Sequence, residues 1–169
     1  MKDPEGLMGV FYQRDASINA GAGAGFAGSA SGGVGLTWNW GKSGFESAEF
    51  GGYGSYGGLV GGALHSTTIG GSISGPNPYT VLGGSGGFSR GIMITNATRM
   101  SQVALPTVTN SITAGIVTFS WSRDAQSGVW TVTMSGGGKP GLSYSSYPTA
   151  TKTTTAVTME KKTDKNKTQ

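Results

Sequence analysis

Glycine is threaded through the apolar and aromatic positions of this chain instead of being pooled in a linker, and it makes up 32 of the 169 residues. Between Asn19 and Gly91 it recurs as Gly-Ala-Gly-Ala-Gly-Phe, Gly-Gly-Val-Gly-Leu-Thr-Trp, Gly-Gly-Tyr-Gly-Ser-Tyr and Gly-Gly-Leu-Val-Gly-Gly-Ala-Leu. At that density the backbone entropy cost makes helices improbable. Disordered linkers seldom carry so many Trp, Phe, Val and Leu. Gly at every third position is missing, which excludes collagen. What remains is a sheet in which backbones approach closely.

Charged residues are only 12% of the chain, so Ser, Thr, Asn and backbone amides must supply its solubility. The net charge of +4 is concentrated at the end, where five lysines after Thr151 face only Glu160 and Asp164. The body therefore has no basic face for nucleic acid, and none is expected as a partner. With no cysteine, disulfides and thiolate metal sites are excluded together. Met1 to Gly6 lacks the apolar core of a signal peptide, so export is expected to need a route other than a cleaved N-terminal signal, or a larger parent protein. No apolar run approaches the roughly 20 residues of a spanning helix.

Strand signals recur at short spacing. Val10-Phe11-Tyr12 opens the first, and Ser17 to Trp40 alternates small and apolar residues. Lys42-Ser43-Gly44 reads as a turn, Phe45 to Tyr56 resumes, and Leu59 to Ile73 is apolar and Thr-rich. Gly75-Pro76-Asn77-Pro78 is the strongest breaker. Tyr79 to Leu82 and Phe88 to Thr95 read as separate strands. Val117, Phe119 and Trp121 alternate with Thr118, Ser120 and Ser122, and Trp130, Val132 and Met134 alternate with Thr131 and Thr133. That pair predicts a β-hairpin with one buried face. Gly136 to Gly141 reads as another turn, before a last strand from Leu142. The reading is an all-β, Gly-rich antiparallel β-sandwich or small barrel, with at most one short helix near residues 97–103. Residues 1–8 form a leader, residues 9–158 a single β domain and residues 159–169 a flexible Lys-rich tail.

Signals for chemistry are sparse. His65 is the sole histidine; a Ser-His-Asp set would need it with Ser66 or a distant serine and with Asp15 or Asp124, and a structural role outweighs that of a catalytic base. Glu46 and Glu49 are the closest acids of the body, yet in a strand they fall on opposite faces. The Gly21–Gly25 and Gly83–Gly87 runs resemble nucleotide loops only by composition, because neither joins a strand to a helix. No cofactor and no metal are expected. Trp38, Trp40, Tyr53 and Tyr56, with Tyr144 and Tyr147, can form a stacking platform for sugars or lipid headgroups, although packing is the commoner use of such residues. Alternation, Gly, aromatics and length also suit a small outer-membrane-type barrel. Against that barrel stand the lysine tail and the scarcity of large lipid-facing residues in the candidate strands.

Asp3-Pro4-Glu5-Gly6-Leu7 resembles the Asp-Pro-x-Gly-Leu signature that ends the core of Rhs (YD-repeat) proteins. The resemblance implies self-cleavage after Leu7 and a chain that is the variable C-terminal domain of a larger shell. Thr95-Asn96-Ala97-Thr98, Ser127-Gly128-Val129-Trp130 and the Leu142 to Tyr147 segment are similar to the Gly-rich C-termini of some YD-repeat proteins. In that family such tips are often polymorphic toxins or effectors used in interbacterial competition, secreted and delivered into a target cell. The family implies a parent Rhs shell, a cognate immunity protein and a delivery context, not one reaction. The expected function is an effector that acts by membrane or target binding. A glycan- or surface-binding β-sandwich is a second reading. An enzymatic toxin using His65 with Glu46 or Glu49 is a third.

Overall fold

The computed structural model describes residues 8–42, 44–62, 65–69, 79–104 and 107–162. The end-of-core motif at Asp3 to Leu7, the Gly75–Pro78 breaker and the last seven residues of the lysine tail lie outside them. Seven strands run β1 (Gly9–Ala22), β2 (Ala24–Gly41), β3 (Gly44–Gly62), β4 (His65–Ile69), β5 (Thr80–Thr95), β6 (Thr107–Arg123) and β7 (Trp130–Glu160), with one helical turn, α1 (Met100–Val103). The domain is all-β, and every strand pairing is antiparallel.

Hydrogen-bonded neighbours follow the order β4-β3-β2-β1-β5-β7-β6, and β3 also pairs with β7. The cycle β1-β2-β3-β7-β5 is therefore closed, which makes the sheet a barrel. Closure is possible because β7 is 31 residues long. Its first half pairs with β5, from Thr131↔Thr95 to Ser146↔Thr80, and its second half with β3, from Thr149↔Gly57 to Glu160↔Ser47. A closed ring leaves fewer free edges than an open sheet of the same strands.

Two expected breaks are not breaks. The Gly136–Gly141 segment is strand within β7, and Gly83–Gly87 is strand within β5. Each run lies between strands, so the ladder resumes on its far side, although Gly83 and Gly138 within the runs take a φ of +78°. The irregularity survives as register shifts, and residues 137–140 of β7 stand opposite the single Ile116 of β6. The stretch read as continuous from Ser17 to Trp40 is instead a hairpin that turns at Gly23. β6 folds sharply at Gly115, whose φ of +63° lies in the left-handed region. There the side chains of its two halves meet, Ser111 to Ser120 at 2.8 Å and Thr113 to Thr118 at 2.9 Å.

The apolar core is split in two. Phe11, Tyr53, Met93 and Ala97 pack with Met100 and Val103 of α1 near the end of the barrel where β1 begins. Ala27, Leu59, Tyr79, Val81 and Tyr147 pack near the opposite end. The helix falls within the expected 97–103 and is held over the first cluster by three anchors. Glu49 Oε2 accepts the Met100 N–H at 2.7 Å, Gln102 Oε1 accepts the Thr98 N–H at 2.7 Å, and Asn96 Oδ1 accepts the Trp130 N–H at 2.8 Å.

Candidate functional site

The alternation that predicts the hairpin has its faces the other way round from an ordinary soluble barrel. Thr118, Ser120 and Ser122 line the interior cavity with Thr131, Thr133 and Ser135 of β7. Their apolar neighbours point out, with Val117 48%, Phe119 45% and Met134 62% exposed. The expected buried face of this hairpin is therefore its hydroxyl face. Closure decides this, because the strands curl with their small polar side chains on the inside of the bend.

The same inversion recurs on β1, β2 and β5, whereas the second half of β7 carries Lys152 and Thr154 on its exposed side. On β1, Gln13, Asp15, Ser17 and Asn19 face the cavity, while Tyr12 and Ile18 face out. β2 adds Ser29 and Ser31 inside against Phe26 and Val34 outside. On β5, Ser89 points in and Phe88 is 84% exposed. The candidate strands thus carry the large outward residues that their glycine content argues against. The hydroxyls inside pair with one another, as in Ser85 to Ser143 at 2.6 Å, Ser122 to Thr131 at 2.6 Å and Thr109 to Thr149 at 2.7 Å. Such pairing offsets the loss of water around buried polar groups. The cavity between the two apolar clusters holds about 120 Å³, several times what one water requires.

Two carboxylates line it, Asp124 of the β6–β7 loop and the more buried Asp15 of β1. Gln13 Nε2 donates to both oxygens of Asp15, at 2.7 and 2.9 Å, and the Ser89 hydroxyl approaches at 3.4 Å. Tyr53 donates its hydroxyl to Gln13 Oε1. The side-chain amide thereby joins β1 to β3 across Gly33 of the intervening β2. Gln13 carries no signal of function in the sequence, and Asp15 enters only as an acid that a Ser-His-Asp set with His65 would need, a role its place on β1 does not support. Their one shared mark is that both fall on the face of β1 that alternates with Tyr12 and Arg14.

The residues read as a possible active site are not brought together. Glu46 is exposed at the start of β3 and accepts from Asn39 Nδ2 at 2.7 Å. Glu49 is half-buried and engaged with α1. β4, which holds His65, pairs with the far end of β3, where His65 is opposite Gly62. The His65 side chain lies outside the described residues. No group of three or more His, Cys, Asp or Glu with metal-holding placement occurs among the described residues.

Nor do the aromatics form one platform. Tyr53 is buried and turned to the lumen, and it packs edge-on against Phe11 at 5.5 Å. Trp40 and Tyr56 are exposed on the wall, with Trp40 edge-on to Phe45 at 6.1 Å. All four tryptophans instead share one end of the barrel. The pairings Gly9↔Thr37, Gly9↔Thr95, Thr95↔Thr131 and Arg123↔Trp130 define that end. Trp38 and Trp40 finish β2, Trp121 lies near the end of β6 and Trp130 starts β7. The opposite end, built from residues 20–28, 57–62, 80–86 and 141–149, contains no Asp, Glu, Lys or Arg.

No family model, curated protein or solved structure matches this chain. No helix among the described residues is long and apolar enough to cross a membrane, a statement that does not bear on strands.

Proposed function

We propose that the chain is the effector tip of an Rhs-type secreted protein and that it acts on membranes, seating the outer wall of its barrel in a lipid bilayer. The observation that carries this reading is the inversion of the barrel: aliphatic and aromatic side chains outside, hydroxyls and amides inside. Strands that alternate apolar-out and polar-in, closed so that backbone groups are satisfied within the sheet, are what a bilayer requires of β-structure. In water the same wall is unfavourable, because exposed patches of this extent seek a partner. Transferring one such Phe or Leu to an apolar surrounding is worth about 1.5–3 kcal/mol.

The clustering of tryptophan supports an orientation. Trp favours the membrane–water boundary, where its ring is half immersed and its N–H remains hydrated. The tryptophan end, with α1 over it, then lies toward the interface, and the opposite end, whose strand ends lack Asp, Glu, Lys and Arg, lies deeper. Delivery by an Rhs shell and the presence of an immunity protein rest on the resemblance of Asp3 to Leu7. Among the three expected functions the glycan-binding and enzymatic readings have less support. The stacking residues point to different places, and Glu46 and Glu49 serve separate local contacts.

Flotation with lipid vesicles tests the reading. The wild-type domain is expected to rise with the vesicles. Phe88→Asp with Leu142→Asp, both on the outer wall, is expected to stay in the aqueous layer, and Ser31→Ala with Ser120→Ala to float as the wild type does. A wild-type domain left in the aqueous layer overturns the proposal. Expression in the bacterial periplasm supplies a second readout, growth arrest with loss of membrane potential.

A further inference from the structure

Arg14 and Arg90 interrupt the apolar wall. They are register partners across β1 and β5, and both are exposed. Directly opposed like charges weaken a strand pair, and neither guanidinium makes an ion pair or hydrogen bond among the described residues. The adjacent carboxylate, Asp15, projects to the other side of the sheet and is engaged by Gln13 and Ser89. Above and below the pair on the same face stand Tyr12, Ile92, Ile18 and Phe88, all exposed. Beyond it on either side the ladder partners are Gly32 and Gly136, which place no side chain against the guanidinium groups. Two forks of N–H donors thus sit side by side in an open-floored, apolar surround.

We propose that Arg14 and Arg90 together bind the phosphate of an anionic phospholipid headgroup. The guanidinium fork matches phosphate oxygens in bidentate fashion, and two adjacent forks present donors to one tetrahedral group. A phosphate between them also removes their mutual repulsion. The apolar neighbours suit the glycerol and acyl portions of the same molecule, which inorganic phosphate lacks. The identity of the ligand as a lipid rests on the membrane reading above.

The test is flotation of the purified domain with phosphatidylcholine vesicles and with vesicles containing phosphatidylglycerol. Wild type is expected to prefer the anionic vesicles by more than the roughly 30-fold that two cationic side chains give through charge alone, on the order of fivefold each. Arg14→Gln with Arg90→Gln is expected to lose that preference and to bind phosphatidylcholine vesicles as before, with unchanged circular dichroism. Arg14→Lys with Arg90→Lys, which keeps the charge and loses the fork, is expected to fall between them. Full preference retained in the Gln double variant overturns the site. Full preference in the Lys variant reduces it to unspecific surface charge and overturns phosphate recognition. Displacement from anionic vesicles by millimolar inorganic phosphate shows a site for free phosphate and overturns the lipid. Wild type that floats with neither vesicle overturns the membrane reading itself, a result distinct from binding both vesicles equally, which overturns only the arginine site.

Discussion

Glu49 ties the wall of the barrel to the helix at its mouth: its Oε2 accepts the backbone N–H of Met100 at 2.7 Å, across 51 positions of sequence. Met100 is fully buried in the cluster that closes this end. Glu49→Ala leaves the first N–H of α1 without an acceptor, and a hydrogen bond to a charged group contributes about 1.5–3 kcal/mol. The expected outcome is faster amide exchange confined to residues 96–104, with exchange in β1 and β2 unchanged. Uniform loosening of the whole barrel would show that the contact is not local.

Gln13 is a second junction, between Asp15 on its own strand and Tyr53 on β3. Gln13→Leu takes the acceptor from the Tyr53 phenol and leaves Asp15 with the Ser89 contact in place of its amide bonds, at roughly 1–3 kcal/mol for each group left short. Tyr53→Phe removes one of those groups, so the double variant should be less destabilised than the two single effects summed. A double-mutant cycle on chemical denaturation measures this coupling, and simple additivity would count against it.

Two glycines three residues apart on β3 should respond in opposite directions. A Cβ on Gly51 would lie 2.1 Å from the Thr154 carbonyl oxygen, at the β3–β7 seam that closes the ring. One on Gly54 meets nothing within 4 Å. Gly51→Ala is expected to cost about 1–3 kcal/mol or more through backbone displacement. Gly54→Ala should be neutral or stabilising by about 0.4–1 kcal/mol, because it restricts the unfolded chain. Thermal unfolding of the two variants side by side checks both signs.

Asp124, in the loop between β6 and β7, is held below the ordinary carboxyl value by the Ser127 hydroxyl and by the Ser127 N–H, which donates to Oδ2 at 2.6 Å. A depressed folded-state value means the loop's stabilisation is fully present above the unfolded-state value. It is lost as the pH falls through the folded one. The Ser127 amide resonance is expected to shift in that acidic window in the wild type and to stay flat in Asp124→Ala. A wild-type midpoint at or above 3.8 would contradict the contact.

Much of the backbone was legible from periodicity. Val10 to Tyr12 does lie in the first strand, Lys42 does turn between β2 and β3, and α1 falls where the chain has no glycine. The Gly83–Gly87 and Gly136–Gly141 runs misled, because a glycine run reads as a turn when its partners are unknown. Pairing with the strands that flank each run carries the sheet across it as a bulge, not as a turn. Of the candidate site, Trp40 and Tyr56 were legible as exposed aromatics. Tyr53 was not, since position 53 differs from 56 only by which side of the sheet it occupies.

Period-two alternation determined from the sequence alone that each strand has one apolar and one hydroxyl face, because successive side chains must leave a strand on opposite sides. Which face is inside was left undetermined, since the same alternation describes a barrel filled with Phe and Val and one lined with Ser and Thr. The pairing of β7 with both β5 and β3 decided it. That closure joins residues about a hundred positions apart in sequence, and its curl places the small polar side chains within and the large apolar ones without.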